Sequence, residues 1–372
     1  MEFLAEYGAF LLKTLTIVVS IIILVAGIAA VGGKQKHNND GQITINKVND
    51  DLDEYKETLE ANLFDKEELK AIEKARAKED KEKAKEEKVK AKALAKANKK
   101  AGKTGTVATD DAEEAEEVPK KRVFVLDFDG DIKASAADLM REEITAVLTM
   151  ARKEDEIVVR LESGGGMVHS YGLASSQLQR IKDKGIPLTV CIDMVAASGG
   201  YMMACIADKI VAAPFAIVGS IGVVAQLPNF HRLLKKNDVD FEMFTAGEYK
   251  RTVTMFGENT DKAKDKFRED LEETHVLFKN HVSRFRPSVN IDEVATGDTW
   301  YGQDALSNKL IDKLGTSDDY LVSACAEADV FEVSYEFKKS LQEKLGLAVQ
   351  LGIEKAATRF LTVLNIQNHT KG

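Results

Sequence analysis

Ser198 lies in the stretch DMVAASGGYMM, between two alanines and two glycines, where an ordinary buried helix would use larger side chains. A small-Ser-Gly-Gly run after an apolar strand fits either close packing or a nucleophile that a substrate backbone must approach. Serine attacks only when a base removes its proton. Of the chain's six histidines, His169 is best placed, shortly after a GGG turn, yet its position early in a predicted helix reads as a surface or capping residue. Lys250, in TAGEYKR at the end of a predicted strand, is the other candidate. A lysine serves as base only where burial favours its neutral amine. Glycines supply a further element: ESGGG, from Glu162 to Gly166, ends one strand and opens a helix, where unpaired backbone N–H groups bind anions. Three glycines also let a carbonyl approach without meeting Cβ atoms. A serine and an anion-binding turn at successive strand-to-helix junctions are two parts of an acyl-transfer site. A packing serine and a tight turn are the plainer reading.

Groups spaced in this way need a scaffold that gathers strand ends. Order begins at Arg122: VFVLDF reads as a strand, Ala136 to Ala151 as a helix, and EIVVRLE as a second strand leading into GGG. Val168 to Lys184 reads as a helix, PLTVCID as a third strand, and Ser198 opens another helix. DKIVAAP and GSIGVVA then read as strands, Asn229 to Asn237 as a helix, VDFEMFTA as a strand, and Asp261 to Phe285 as a long charged amphipathic helix. Such alternation predicts an α/β fold with crossover connections and a buried sheet. Lys339 to Leu364 reads as one more helix, with Leu345, Val349, Ile353 and Phe360 at broadly helical spacing, suited to a neighbouring subunit or a bilayer surface.

The 372 residues, 44% of them hydrophobic, suffice for one large domain with accessory segments, and the formal charge of -9 argues against a general nucleic-acid binder. Three cysteines, Cys191, Cys205 and Cys325, lack metal-ligand spacing and read as core thiols. Thr14 to Val31, TLTIVVSIIILVAGIAAV, carries no charge and is long enough to cross a bilayer. Glu2 and Glu6 stand where a signal peptide would carry a basic cluster, so the segment reads as a retained anchor. Lys34 and Lys36 behind it favour a cytoplasmic C-terminal side. Glu73 to Lys100 reads as a solvated helix or charged spacer, with contact to anionic lipid or nucleic acid as the lesser reading, and GKTGTVATDDAEEAEEVP as a flexible linker. Gly102-Lys103-Thr104 lacks the earlier glycine and preceding strand of a phosphate-binding loop. Asp127, Asp129 and Asp131 lack the terminal glutamate of a calcium loop and read as strand-end and turn residues.

In order and spacing, LESGGGMV, VAASGGYMMA, APFAIVGSIGV, TAGEYKR and WYGQDALSNKLIDKLG resemble the signal peptide peptidase A family of serine peptidases. The anchor, the long N-terminal segment, ASGGYMMACIADKIV and VAQLPNFHRLLKK resemble its SohB branch of bacterial inner-membrane peptidases. The likeness spans roughly Arg122 to Leu314. It implies a ClpP/crotonase-like sheet-and-helix core with an N-terminal transmembrane helix: anchor 1–33, charged spacer and linker 34–121, peptidase domain 122–338, and C-terminal helical segment 339–372. It further implies a Ser-Lys dyad, with Ser198 the nucleophile, Lys250 the general base and Ser220 the hydroxyl that orients the lysine. Gly164 to Gly166 match the oxyanion-binding turn, Gly165 foremost, and Gly199 a second N–H donor. This turn departs from the family's common Asn-Ser-Pro-Gly-Gly, having Glu162 and Gly164 at the first and third positions. No cofactor or metal is implied. The expected partners are peptide or protein substrates, the membrane and further copies of the chain, since family members form rings. The family's usual task, cutting remnant signal peptides or membrane-associated segments, implies the extracytoplasmic face, against the weak lean of the flanking lysines. A crotonase-like enzyme acting on acyl-thioesters and a non-catalytic membrane scaffold are the alternatives.

Overall fold

The computed structural model describes residues 8, 10–16, 18–19, 41–72, 74–76, 78, 81 and 120–337. Most of the anchor Thr14 to Val31, most of the Glu73 to Lys100 run, the linker after it and the helix read over Lys339 to Leu364 lie outside these residues. Among the described residues no helix is long and apolar enough to cross a membrane. The chain divides into two compact units, 1–42 with 337–372, and 43–336. In the first, described residues between 8 and 19 are helical, and the Thr14 and Thr16 hydroxyls donate to the Phe10 and Leu12 carbonyls.

The second unit is built on a sheet that holds ten strands among the described residues. In chain order the elements are β1 Gly41–Lys47, α1 Val48–Leu63, β2 Arg122–Gly130, α2 Ala137–Leu148, β3 Glu156–Ser163, α3 Val168–Asp183, β4 Leu188–Ile192, β5 Val195–Ala197 and α4 Gly199–Ala204. They continue with β6 Lys209–Ala212, β7 Ile217–Gly219, α5 His231–Lys236, α6 Asp261–Phe285, α7 Ile291–Val294, β8 Thr299–Tyr301, α8 Gly302–Ser307, β9 Lys313–Leu314, α9 Ser317–Cys325 and β10 Asp329–Phe337. The sheet runs β1-β10-β2-β3-β4-β6-β9, and β5, β7 and β8 branch from β3. From β10 to β9 every pairing on this path is parallel, and so are β3–β5 and β5–β7.

Burial explains the strand sequences. In β2, Phe124, Leu126 and Phe128 enter the larger core while Val123 and Val125 enter the smaller one on the opposite face. The β3 run is apolar on both faces because both are covered. Cys191 and Cys205 are core thiols as read, and burial pushes Cys191 up to about 12.

The sequence reading named no element between Phe285 and Lys339, where the structure forms β8, β9, β10 and α7 to α9, and it differs at three earlier places. Gly41–Lys47 forms an edge strand, and α1 is tied to the domain by Asn49, whose amide donates to the Cys325 and Ala328 carbonyls and whose carbonyl oxygen accepts the Val330 N–H. The strand expected over GSIGVVA lies earlier, at Ile217–Gly219, because Gly219 and Ser220 take positive φ values of 99° and 51° and end the extended run. VDFEMFTA forms no strand, since a strand needs a paired neighbour and this stretch is exposed and without one among the described residues.

One buried carboxyl gives a pH test of the fold. On the core face of α2, Glu143 accepts the Tyr335 N–H at 2.8 Å, and its second oxygen is buried without a partner among the described residues. Burial, reinforced by the charge of Asp127, pushes the carboxyl up to about 7. The raised value means that the folded state holds a proton the unfolded chain has released. The associated stability is therefore complete below the ordinary carboxylate range and is lost as pH rises through about 7. Glu143→Gln is expected to stabilise the domain by roughly 2 kcal/mol at about pH 8 and to change little at about pH 5, as read by urea denaturation across that range.

Candidate active site

Parallel register brings the ends of β2, β3, β5 and β7 together. Gly130 of β2 pairs with Ser163 of β3, Ser163 with Ala196 of β5, and Ala197 with Gly219 of β7. The residues that follow these ends, Gly164 to Gly166, Ser198 and Ser220, are therefore neighbours at the carboxyl edge of the sheet, where open α/β sheets place their ligands.

Ser198 joins β5 to α4 with φ 53° and ψ -117°, a conformation that costs a non-glycine residue about 1–3 kcal/mol. Its N–H donates to the Gly219 carbonyl at 2.7 Å, and its carbonyl accepts the Met202 N–H at 2.9 Å. These bonds hold the strained turn. The flanking glycines are packing requirements: a Cβ on Gly199 would lie 2.4 Å from the Tyr171 ring, and one on Gly200 would lie 2.5 Å from the Ser163 carbonyl oxygen. Ser198 itself is half-buried, and its Oγ has no hydrogen-bond partner among the described residues. Packing thus explains the glycines, and the strained turn presents the hydroxyl.

The GGG turn lies against this junction. Gly165 has φ +87°, and a Cβ there would sit 2.6 Å from the Gly199 nitrogen and 2.8 Å from Ser198 Cβ. Only glycine permits so close an approach. The Gly165 N–H, foremost among the expected donors, is engaged by Ser163 Oγ at 3.0 Å. The N–H groups of Gly166 and Gly199 have no partner among the described residues.

Beside Ser198 opens a cavity of about 250 Å³, lined among others by Gly166, Gly199, Met202, Phe278 and His281. Sequence reading passed over His281, although Thr274, Leu277, Phe278 and His281 follow i, i+3, i+4, i+7 spacing and form the stripe of α6 that faces the cavity. Its Nε2 lies 2.9 Å from the Met202 carbonyl. A carbonyl only accepts, so the proton sits on Nε2, and burial pushes the imidazole's pKa down, keeping the ring neutral. His169, the alternative base, is exposed in the first turn of α3 and does not line the cavity.

Ser220, with φ 51°, donates its N–H to the Asp298 carbonyl at 2.7 Å, and its hydroxyl lies 3.4 Å from the Gly297 carbonyl. Lys250 stands apart. It is exposed, its N–H donates to the Gly247 carbonyl at 3.2 Å, and it does not line the cavity. Ser198, Ser220 and the glycine turn thus meet at adjoining strand ends, while Lys250 lies on an exposed stretch outside the cavity lining. The stretch that carries it exposes large apolar side chains: Val224 is 79% and Phe244 90% exposed, with Leu233 and Tyr249 also open.

The chain matches two family models, Peptidase family S49 N-terminal over residues 2–178 and Peptidase family S49 over residues 180–331. It is 50% identical over 347 residues to a probable protease SohB of Haemophilus influenzae, covering 93% of this chain and 92% of that one. A probable protease SohB of Buchnera aphidicola is 54% identical over 230 residues, 62% of this chain and 68% of that one. A solved structure, a mutant of the 1510-N membrane-bound stomatin-specific protease in complex with a substrate peptide, aligns with a TM-score of 0.38 at 15% identity, covering 62% of this chain and 99% of that one.

Proposed function

Because the chain belongs to peptidase family S49 and is a serine peptidase of the SohB type, we propose that Ser198 is its nucleophile and Lys250 its general base. Membership displaces the acyl-thioester and scaffold alternatives. The observation that carries the assignment is the strained turn at Ser198, whose Oγ has no partner among the described residues and lines a cavity flanked by the N–H groups of Gly166 and Gly199. Neutral Lys250 takes the Ser198 proton, and Oγ bonds to the carbonyl carbon of a peptide. The negative charge on the carbonyl oxygen is held by the backbone N–H groups of Gly166 and Gly199, the Gly165 N–H being engaged by Ser163 Oγ. Collapse breaks the C–N bond, and Lys250 returns the proton to the leaving amine. Water then attacks the acyl-enzyme by the same route and frees Ser198. Ser220, next to the paired Ala197 and Gly219, orients the lysine.

The substrates are signal-peptide-like or membrane-associated polypeptides, presented at a bacterial inner membrane to a chain anchored by residues 1–33. Support for the anchor is the uncharged span Thr14 to Val31. Behind it come Gly41–Lys47 and Val48–Leu63, which join the ClpP/crotonase-like peptidase domain 122–338, then a spacer and linker up to residue 121, and after the domain the terminal segment 339–372. A homo-oligomer completes the site. Lys250 lies outside the Ser198 cavity in a stretch whose open apolar side chains call for a cover, and a second copy supplies both the cover and the base. Mixing Ser198→Ala and Lys250→Ala proteins, each inactive alone, should then restore measurable peptide cleavage, because some junctions pair an intact serine with an intact lysine. No recovery after subunit exchange would place both groups within one chain.

A further inference from the structure

Two buried hydroxyls that the mechanism does not use connect both halves of the site. Ser163, 2% exposed, ends β3 beneath the glycine turn. Its Oγ accepts the Gly165 N–H at 3.0 Å and lies 3.1 Å from the Gly130 carbonyl and 2.5 Å from the Tyr171 hydroxyl. Tyr171, fully buried in α3, reaches the Asp131 carbonyl at 2.7 Å through the same hydroxyl. Its ring lies under Gly199, where a Cβ would meet Cγ at 2.4 Å. One side chain therefore touches the first residue after the nucleophile with its ring and the oxyanion turn, through Ser163, with its hydroxyl.

Resting on the proposed serine mechanism, we infer that Tyr171 and Ser163 are positioning residues that set the distance between the oxyanion turn and Ser198. Packing alone does not call for them, because a phenylalanine and an alanine would fill nearly the same space without bringing polar atoms into the core. The hydroxyl pair adds direction. By engaging the Gly165 N–H, Ser163 fixes the turn in its left-handed bend and leaves Gly166 and Gly199 as the donors turned to the substrate oxygen. Burial pushes the Tyr171 pKa up, so the phenol stays protonated and keeps its donor role.

Tyr171→Phe keeps the ring under Gly199 and removes only the hydroxyl. With full-length protein, its kcat on an unstructured peptide should fall about 10- to 100-fold while KM stays within about twofold. The Ki of a peptide aldehyde, whose hemiacetal oxygen mimics the oxyanion, should rise by the same factor as kcat falls, and titration with a serine-directed phosphonate should still count one site per chain. Ser163→Ala should reproduce this pattern, the double variant should add little, and Ser163→Thr should recover most of the rate. Loss of titratable sites with unchanged kcat per site would reduce the pair to a folding role, as would wild-type kcat and Ki in both single variants. If Tyr171→Phe does not fold, Ser163→Ala decides. These outcomes are separate from failure of the serine mechanism itself, in which Ser198→Ala would remain active and the wild type would take up no phosphonate at Ser198.

Discussion

Ser198→Ala should lower peptide cleavage at least about 10⁴-fold while the domain stays folded. Both results follow from one geometry. The Oγ of Ser198 has no partner among the described residues, so its removal breaks no hydrogen bond, and the alanine inherits the same backbone bonds to Gly219 and Met202. Thermal denaturation of Ser198→Ala should therefore match the wild type closely. Ser198→Gly goes further: at φ 53° glycine relieves strain that any larger residue bears, so this variant should be equally inactive and about 1 kcal/mol more stable. A stabilised, inactive Ser198→Gly is the signature of a residue held in a costly conformation for chemistry. A large loss of stability in Ser198→Ala would instead mark the serine as a packing residue.

Lys250→Arg should be nearly as damaging, with a loss of about 10³-fold or more although the charge is kept. Only a neutral amine has the lone pair that accepts the Ser198 proton, and guanidinium stays protonated throughout the working range. Ser220→Ala should retain measurable activity, since it removes an orienting hydroxyl and leaves the base in place. Near-normal turnover in Lys250→Arg, measured as kcat/KM from acid to alkaline pH, would remove the lysine from the mechanism. The histidine then to test is His281, which lines the cavity, and not the exposed His169.

The parts of the site legible in the sequence are those that leave a local signal. Three glycines after a strand and a serine before two more announce close backbone approach wherever they fold, and the structure sets Gly165 against Ser198. Register over short strands leaves no such signal. That Ala197 pairs with Gly219 depends on which three-residue runs stop where, and the apolar stretch beyond Gly219 hid the bend at Ser220 that ends β7. Tyr171 reads as one more helix aromatic until its ring is found under Gly199, a residue of a different helix. The edge strand Gly41–Lys47 is mostly polar, and pairing to β10, the packing of Ile43 on the core and the Lys47–Asp329 ion pair recruit it to the sheet. For Lys250 the motif names the residue, while in the structure it is exposed and does not line the cavity beside the serine.

Covalent capture at Ser198 tests the central assignment most directly. Full-length protein is treated with a serine-directed fluorophosphonate, and the adduct is located by peptide mass mapping. One adduct per chain is expected, on the peptide that contains Ser198, with cleavage of the peptide substrate lost in step with labelling. A protein that keeps cleaving while Ser198 stays unmodified, or that loses activity through an adduct elsewhere, would contradict the account.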